Sequence, residues 1–404
     1  HFGIERLLDP TRAMSLPQEL LDNILDNLCD DLESLKHCAL AYSSLRATSQ
    51  RIQFRRVVLG PAPSGRPTPC FRFFVLLTES PHISLHVKSL VIMDRKPFSW
   101  HTWPKTIPWI VTEQTLPLLL AKLTPNLTAF HMHTRSPWGR IAETRALHAA
   151  LLHVLASPKL SYLQFKDVSP PASSILLAPG LRGLLLSNAE LLEDCRSHTP
   201  AGASRAIHRI GLMGKHLDWI TSPQCPLDWR LLRKLRASSD HTKPHTKALQ
   251  LVLDRCAQSL TEFEFFPAHP LSLPRPLPSL SLSKSAVLRR LCVYLVCGQE
   301  QDKTVVDWFV PLLDSLDPAA PIALVTIHFE AWDYAGTMGD RYDWTAFDEC
   351  LTRVVERRWA RVLFRCAGSG TYPTAGEFPQ LWTTGRLHIE KSSEELDELQ
   401  YAAF

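Results

Sequence analysis

The chain lacks most of the marks of a catalytic, metal-bound or membrane protein. Its ten cysteines form no Cys-x-x-Cys pair, which argues against a zinc ribbon and against a dense disulfide scaffold. Several, such as Cys38, Cys256, Cys292 and Cys297, sit in apolar runs, where a thiol behaves as a small hydrophobe. A reducing compartment, cytoplasm or nucleus, fits that usage. No apolar run approaches the roughly 18 residues of a membrane span, and the nearest is Leu116 to Leu123. The opening residues HFGIERLLDP have no apolar stretch of signal-peptide length behind a basic start. Met14 is a candidate start, which would leave residues 1–13 upstream of it. A formal net charge of +4 over 404 residues is small and gives no reason to expect nucleic acid or an anionic membrane as the main partner. Arg230, Arg233, Lys234 and Arg236 do cluster, but they lie among leucines at helical spacing and read as a solvated helix face.

Motifs that carry chemistry are equally scarce. His131 and His133 flank Met132 and would share one strand face, yet no Cys-x-x-Cys or His-Glu-x-x-His pattern joins them into a metal site. Ser281-Leu-Ser-Lys284 matches Ser-x-x-Lys without its partner motifs. Gly368-Ser-Gly370 is too short for a phosphate loop. Asp333, Asp340 and Asp343 share the run at 332–344 with two glycines, but not in the order of a calcium loop, so a solvated loop is expected. Asn126-Leu127-Thr128 is a glycosylation sequon by pattern only. The sequence therefore predicts no catalytic residue, no metal and no cofactor.

What is present is concentrated in residues 16–59. Pro17 stands where a first helical turn tolerates a missing N–H. Leu20, Leu21, Ile24, Leu25 and Leu28 then recur at helical spacing. Asp30 followed by Glu33 predicts the N-cap of a second helix, with Leu32 and Leu35 on one face. Ser43 or Ser44 can cap a third, with Leu45, Thr48 and Ile52 on one stripe. Phe54 leads into the β-like run Val57-Val58-Leu59. Three short helices bury little surface and cannot hide this much leucine. Surplus apolar surface on a small module usually marks an interface. An N-terminal helical cap on a larger domain is the plainer alternative.

The series Leu16, Pro17, Glu19, Leu20, Leu21, Ile24, Leu25, Leu28, Asp31, Leu32, Ser34, Leu35 and Cys38 resembles an F-box, and is similar to the F-boxes of mushroom-forming fungi. Their third helix often carries Val-Cys and, three positions on, Trp; here those places hold Ala41, Tyr42 and Leu45. The resemblance implies docking to a Skp-type adaptor through Leu16, Pro17, Leu20, Leu21, Ile24, Leu25, Leu32 and Leu35. Through the adaptor it implies a cullin ubiquitin ligase, with the chain as a non-enzymatic substrate receptor. A scaffold that binds partners without degrading them is the alternative.

The Pro/Gly-rich stretch 60–70 reads as a linker. Beyond it, Leu-x-x-Leu-x-apolar segments recur at 86–93, 126–133, 159–165, 180–187, 259–266, 287–295 and 322–329. Helical stretches lie between several of them: Thr144 to Ala156, Lys247 to Gln258, Thr304 to Leu316 and Trp344 to Trp359. This alternation resembles a degenerate leucine-rich-repeat solenoid, with Asn188 nearest to the consensus asparagine. The segment from Phe71 through Leu90 resembles the usual entry into such a region of fungal F-box proteins. An ordinary α/β domain with a mainly parallel sheet is the alternative. The Pro-rich run at 266–280 is read as a surface loop, with a docking peptide as the other option. Residues 386–389 are a candidate last strand, and the acidic end a frayed or disordered tail. The expected organisation is α/β: an F-box at 14–59, a linker at 60–70, a repeat-like region at 71–390 and a tail at 391–404. The target protein is not readable from the sequence.

Overall fold

The structure, a computed structural model, describes residues 16–62, 66–94, 108–189, 191–192, 204–213, 218–222, 225–239, 243–267, 280–297, 304–331, 344–358, 360–368 and 374–391. It opens with three helices, α1 (Gln18–Asp26), α2 (Leu32–Ala41) and α3 (Ser43–Gln53). The capping differs from the sequence reading by one residue. Asp31, not Asp30, caps α2, accepting from the Ser34 amide at 2.9 Å and the Ser34 hydroxyl at 2.6 Å. Glu33 turns instead to Lys36. Neither Ser43 nor Ser44 caps α3, whose N-cap is Tyr42 with no side-chain bond. Pro17 lies just outside α1 as its N-cap.

Fourteen strands follow among the described residues. They are β1 (Arg56–Leu59), β2 (Ser89–Met93), β3 (Ala129–His133), β4 (Tyr162–Lys166), β5 (Gly183–Ser187), β6 (Arg205–Ala206), β7 (Arg209–Met213), β8 (Leu227–Asp228), β9 (Lys234–Ser239), β10 (Glu262–Pro267), β11 (Arg290–Cys297), β12 (Leu324–Ala331), β13 (Arg361–Gly368) and β14 (Leu387–Lys391). β6 and β8 pair with each other; the other twelve form one sheet in the order β1-β2-β3-β4-β5-β7-β9-β10-β11-β12-β13-β14. Every pair in it is parallel. The sheet therefore advances in one direction along the chain, one strand per turn. A doubly wound α/β sheet reverses its strand order and binds ligands at the reversal; none occurs here among the described residues.

Alternation decides which residues meet the helices. On β3 Phe130 and Met132 are buried in the main core, and on β4 Leu163 and Phe165. Intervening helices supply the other half of that core: Leu116, Leu119, Leu120 and Leu123 from Leu116–Leu123, then Leu147, Leu151, Val154 and Leu155 from Arg145–Leu155. Farther along, Lys243–Cys256, Thr304–Asp314 and Trp344–Arg358 repeat the arrangement. One continuous core thus runs between a sheet layer and a helix layer, because no single strand–helix unit can bury its own apolar face. Close coil-to-coil packing explains Gly180, where a Cβ would collide with the Pro158 carbonyl.

Two expectations about this region need correction. β1 is not a tail of the helical module; it pairs with β2, and Phe54 stacks on Phe73 with ring centroids 6.2 Å apart. The sheet therefore begins before residue 60, and the described parts of 60–70 join two of its coils. The cluster around residue 234 is not a helix face either. Lys234 and Arg236 alternate with Leu235 and Ala237 on β9, the latter two in the core and the former two on the opposite face. Each period-two pattern here also satisfies a helical spacing, so leucine content alone misplaced it. Most of the Pro-rich run, the aspartate loop at 332–343, Gly370, Met14 and the tail beyond Lys391 lie outside the described residues.

Candidate functional site

The three-helix unit is held by α3, which packs on both α1 and α2. Leu25 and Leu35, at 1% and 0% exposure, form its interior together with Thr48 and Ser49. The Thr48 hydroxyl donates to Asp22 at 2.6 Å and ties α3 to α1. That bond, with a second from Gln18, holds the Asp22 carboxyl below its ordinary range. The apolar residues left outside are large. Leu16, Leu20, Ile24 and Leu32 are 50%, 49%, 52% and 52% exposed. Leu20 and Ile24 lie one turn apart on the same face of α1. Leu40 and Tyr42 add exposed apolar surface at the end of α2.

Of the eight residues expected to face a partner, Leu16, Pro17, Leu20, Ile24 and Leu32 are exposed, and Leu21 is half-buried. Leu25 and Leu35 differ from the other six: they point inward and hold the helices together. Helical spacing places Leu21, Ile24, Leu25 and Leu28 on one broad stripe but does not say which edge of the stripe a neighbouring helix covers.

The sheet face turned away from the helices is the second candidate surface. It is more closely filled than an open strand face usually is. His131 Nδ1 lies 2.6 Å from Gln164 Oε1, and its ring packs against Tyr162. Phe266, Tyr294 and His328 stack in sequence across β10, β11 and β12, with centroids 3.6 Å and then 4.3 Å apart. Arg236, only 1% exposed, lies over the Phe266 ring at 4.6 Å, and its Nε is 3.3 Å from Glu264. Lys234 reaches the same carboxylate at 2.7 Å. This row combines cation–π, stacking and ion-pair contacts in one ladder across four coils.

The chemistry available on this face is limited. Burial pushes the Cys292 thiol up to about 12, so it stays protonated at neutral pH. Burial lowers the His131 imidazole and brings His133 down to about 4. Neutral imidazoles can ligate a metal, but among the described residues no third ligand joins them. Lys284 pairs with Asp254 at 2.7 Å, while Ser281 bonds Ser283, so the Ser-x-x-Lys match assembles no nucleophile. Asn188 adopts φ of 48° at the end of β5 and donates to Asp167, at φ 59°, across 3.2 Å. It joins neighbouring turns.

His328 gives a measurable pH dependence. Burial first, then Arg365 and Arg236 nearby, lowers its imidazole from 6.5 to about 4. Between those values the unfolded chain holds the extra proton, so stability rises with pH and is lost as pH falls through that window. Urea unfolding at about pH 7 and about pH 4.5 should show the loss, and His328→Gln should remove about 2 kcal/mol of the difference. Equal pH dependence in the two proteins would refute a neutral buried His328.

No helix among the described residues is long and apolar enough to cross a membrane. Comparison of the chain with protein-family models and with curated proteins finds no match.

Proposed function

We propose that this chain is the substrate-recognition subunit of an SCF-type cullin ubiquitin ligase. Its α1–α3 unit would be an F-box that binds a Skp-type adaptor, and the sheet region a degenerate leucine-rich-repeat-like solenoid that binds a target protein. The observation that carries this reading is the row of half-exposed Leu16, Leu20, Ile24 and Leu32 on a unit whose core, Leu25 and Leu35, is already complete without them. Large apolar side chains left outside a finished core are the form an obligate docking surface takes. Supporting it are the ordered F-box-like series from Leu16 to Cys38 and a sheet whose strands follow one another in chain order, as stacked repeats do. In this role the chain works in the cytoplasm or nucleus and needs no cofactor. Ubiquitin transfer takes place on other subunits.

A second reading is favoured by one observation. Where similar F-boxes carry Val-Cys and Trp, this chain has Ala41, Tyr42 and the half-buried Leu45, so its adaptor contact is smaller at that end. On this reading the chain is a scaffold that uses its helical unit without degradation. Affinity purification of the tagged full chain separates the two. Adaptor and cullin together support the receptor, adaptor without cullin supports the scaffold, and recovery of neither contradicts both.

A further inference from the structure

In an all-parallel sheet, the residues that precede the strands all fall on one edge. Here they are linked from coil to coil by backbone hydrogen bonds: His208 N to Arg182 O and Arg233 N to His208 O, both 2.8 Å, then Thr261 N to Arg233 O at 2.8 Å and Arg289 N to Thr261 O at 2.9 Å. The positions along this row include Arg55, Lys88, Arg182, His208, Arg233 and Arg289, and no carboxylate from Arg55 through Ala323. The next register into the strands adds Arg56, Arg209, Lys234, Arg290, Arg361 and Arg386. Glu262 is the single acid in that register, and it lies between Lys234 at 3.8 Å and Arg290 at 3.5 Å. The opposite ends of the strands carry Asp94 and Asp167. A chain of formal charge +4 thus has one strongly basic edge.

A groove of about 550 Å³ opens on that edge, with His208, Leu231, Arg233, Thr261, Val287 and Arg289 among its walls. Arg233 and Arg289 are exposed, and among the described residues no carboxylate lies within ion-pair distance of either. They stand two strands apart, roughly 10 Å at the backbone given the usual strand spacing. An extended peptide covers that distance in about three residues.

We propose that this edge binds an acidic, partly apolar polypeptide segment of a partner protein. Arg233 and Arg289 hold carboxylates on either side of Thr261, and Leu231 and Val287 contact an apolar side chain between them. A polypeptide fits better than a nucleic acid. Among the described residues no Phe, Tyr or Trp lines the groove to stack a base, and Glu262 interrupts the positive charge of the adjoining register. The inference depends on the sheet alone and stands apart from adaptor binding by α1–α3.

The test is fluorescence anisotropy of the full chain with a labelled peptide of alternating glutamate and leucine. The same peptide with glutamine for glutamate and a labelled oligouridylate serve as competitors. The glutamate peptide should bind and weaken as salt rises. Arg233→Glu with Arg289→Glu should weaken it roughly tenfold or more, Arg233→Gln with Arg289→Gln should give a smaller loss, and Leu20→Asp should change nothing. Equal binding of the glutamine peptide, tighter binding of the oligonucleotide, or wild-type affinity in the folded reversal variant would each overturn the proposal.

Discussion

Aspartate at both Leu20 and Ile24 is expected to abolish complex formation with a Skp-type adaptor and to leave the chain folded. Both side chains are about half exposed, so the substitutions place charge where water already reaches. In a complex those leucine-type side chains would be desolvated, each worth roughly 1.5–3 kcal/mol before ordering costs. A carboxylate in that position must be stripped of water to enter an apolar contact. The contrasting variants are Leu25→Asp and Leu35→Asp. These also abolish binding, but by unfolding the three-helix unit, since a charge at 0–1% exposure cannot be accommodated. Circular dichroism and limited proteolysis distinguish the two outcomes. A folded Leu20→Asp/Ile24→Asp protein that still co-purifies with the adaptor would remove the proposed surface.

Glu264→Ala is expected to destabilise the sheet region by about 3 kcal/mol. The Glu264 carboxylate serves two cations at once, Lys234 at 2.7 Å and Arg236 at 3.3 Å. Arg236 is nearly inaccessible to water and is backed by the Phe266 ring. Removing the carboxylate takes a countercharge away from a guanidinium that is almost wholly buried, which costs more than the intact pair contributes. Replacing both partners, with Glu264→Leu and Arg236→Met, should therefore recover most of the loss. Urea denaturation of the three proteins measures this. A Glu264→Ala midpoint equal to wild type would show that the pair carries no weight in the fold.

Much of the fold could be read in the sequence because its elements carry their own periods. The segment at 126–133 alternates and forms β3; Thr144 to Ala156 has apolar residues three and four apart and forms the helix Arg145–Leu155. β9 could not be read in the same way. Leu231, Leu232 and Leu235 satisfy a helical spacing, while the strand alternation of Lys234, Leu235, Arg236 and Ala237 covers too few residues to override it. β7 and β13 were likewise without a clear signal, since each takes its place from the neighbouring coils.

The candidate surfaces divide along similar lines. The leucines of α1 and α2 are visible as a stripe, but the line between core Leu25 and exposed Ile24 is drawn by how α3 crosses them. The basic edge is invisible in a linear reading. Arg182, Arg233 and Arg289 are far apart in the chain and become neighbours in a row only when the coils stack in register. Composition averages them against distant acids and returns a nearly neutral protein.

Size-exclusion chromatography of the full chain co-expressed with a fungal Skp-type adaptor tests the central claim most directly. The account predicts a stable one-to-one complex. A folded chain that elutes apart from the adaptor would contradict it.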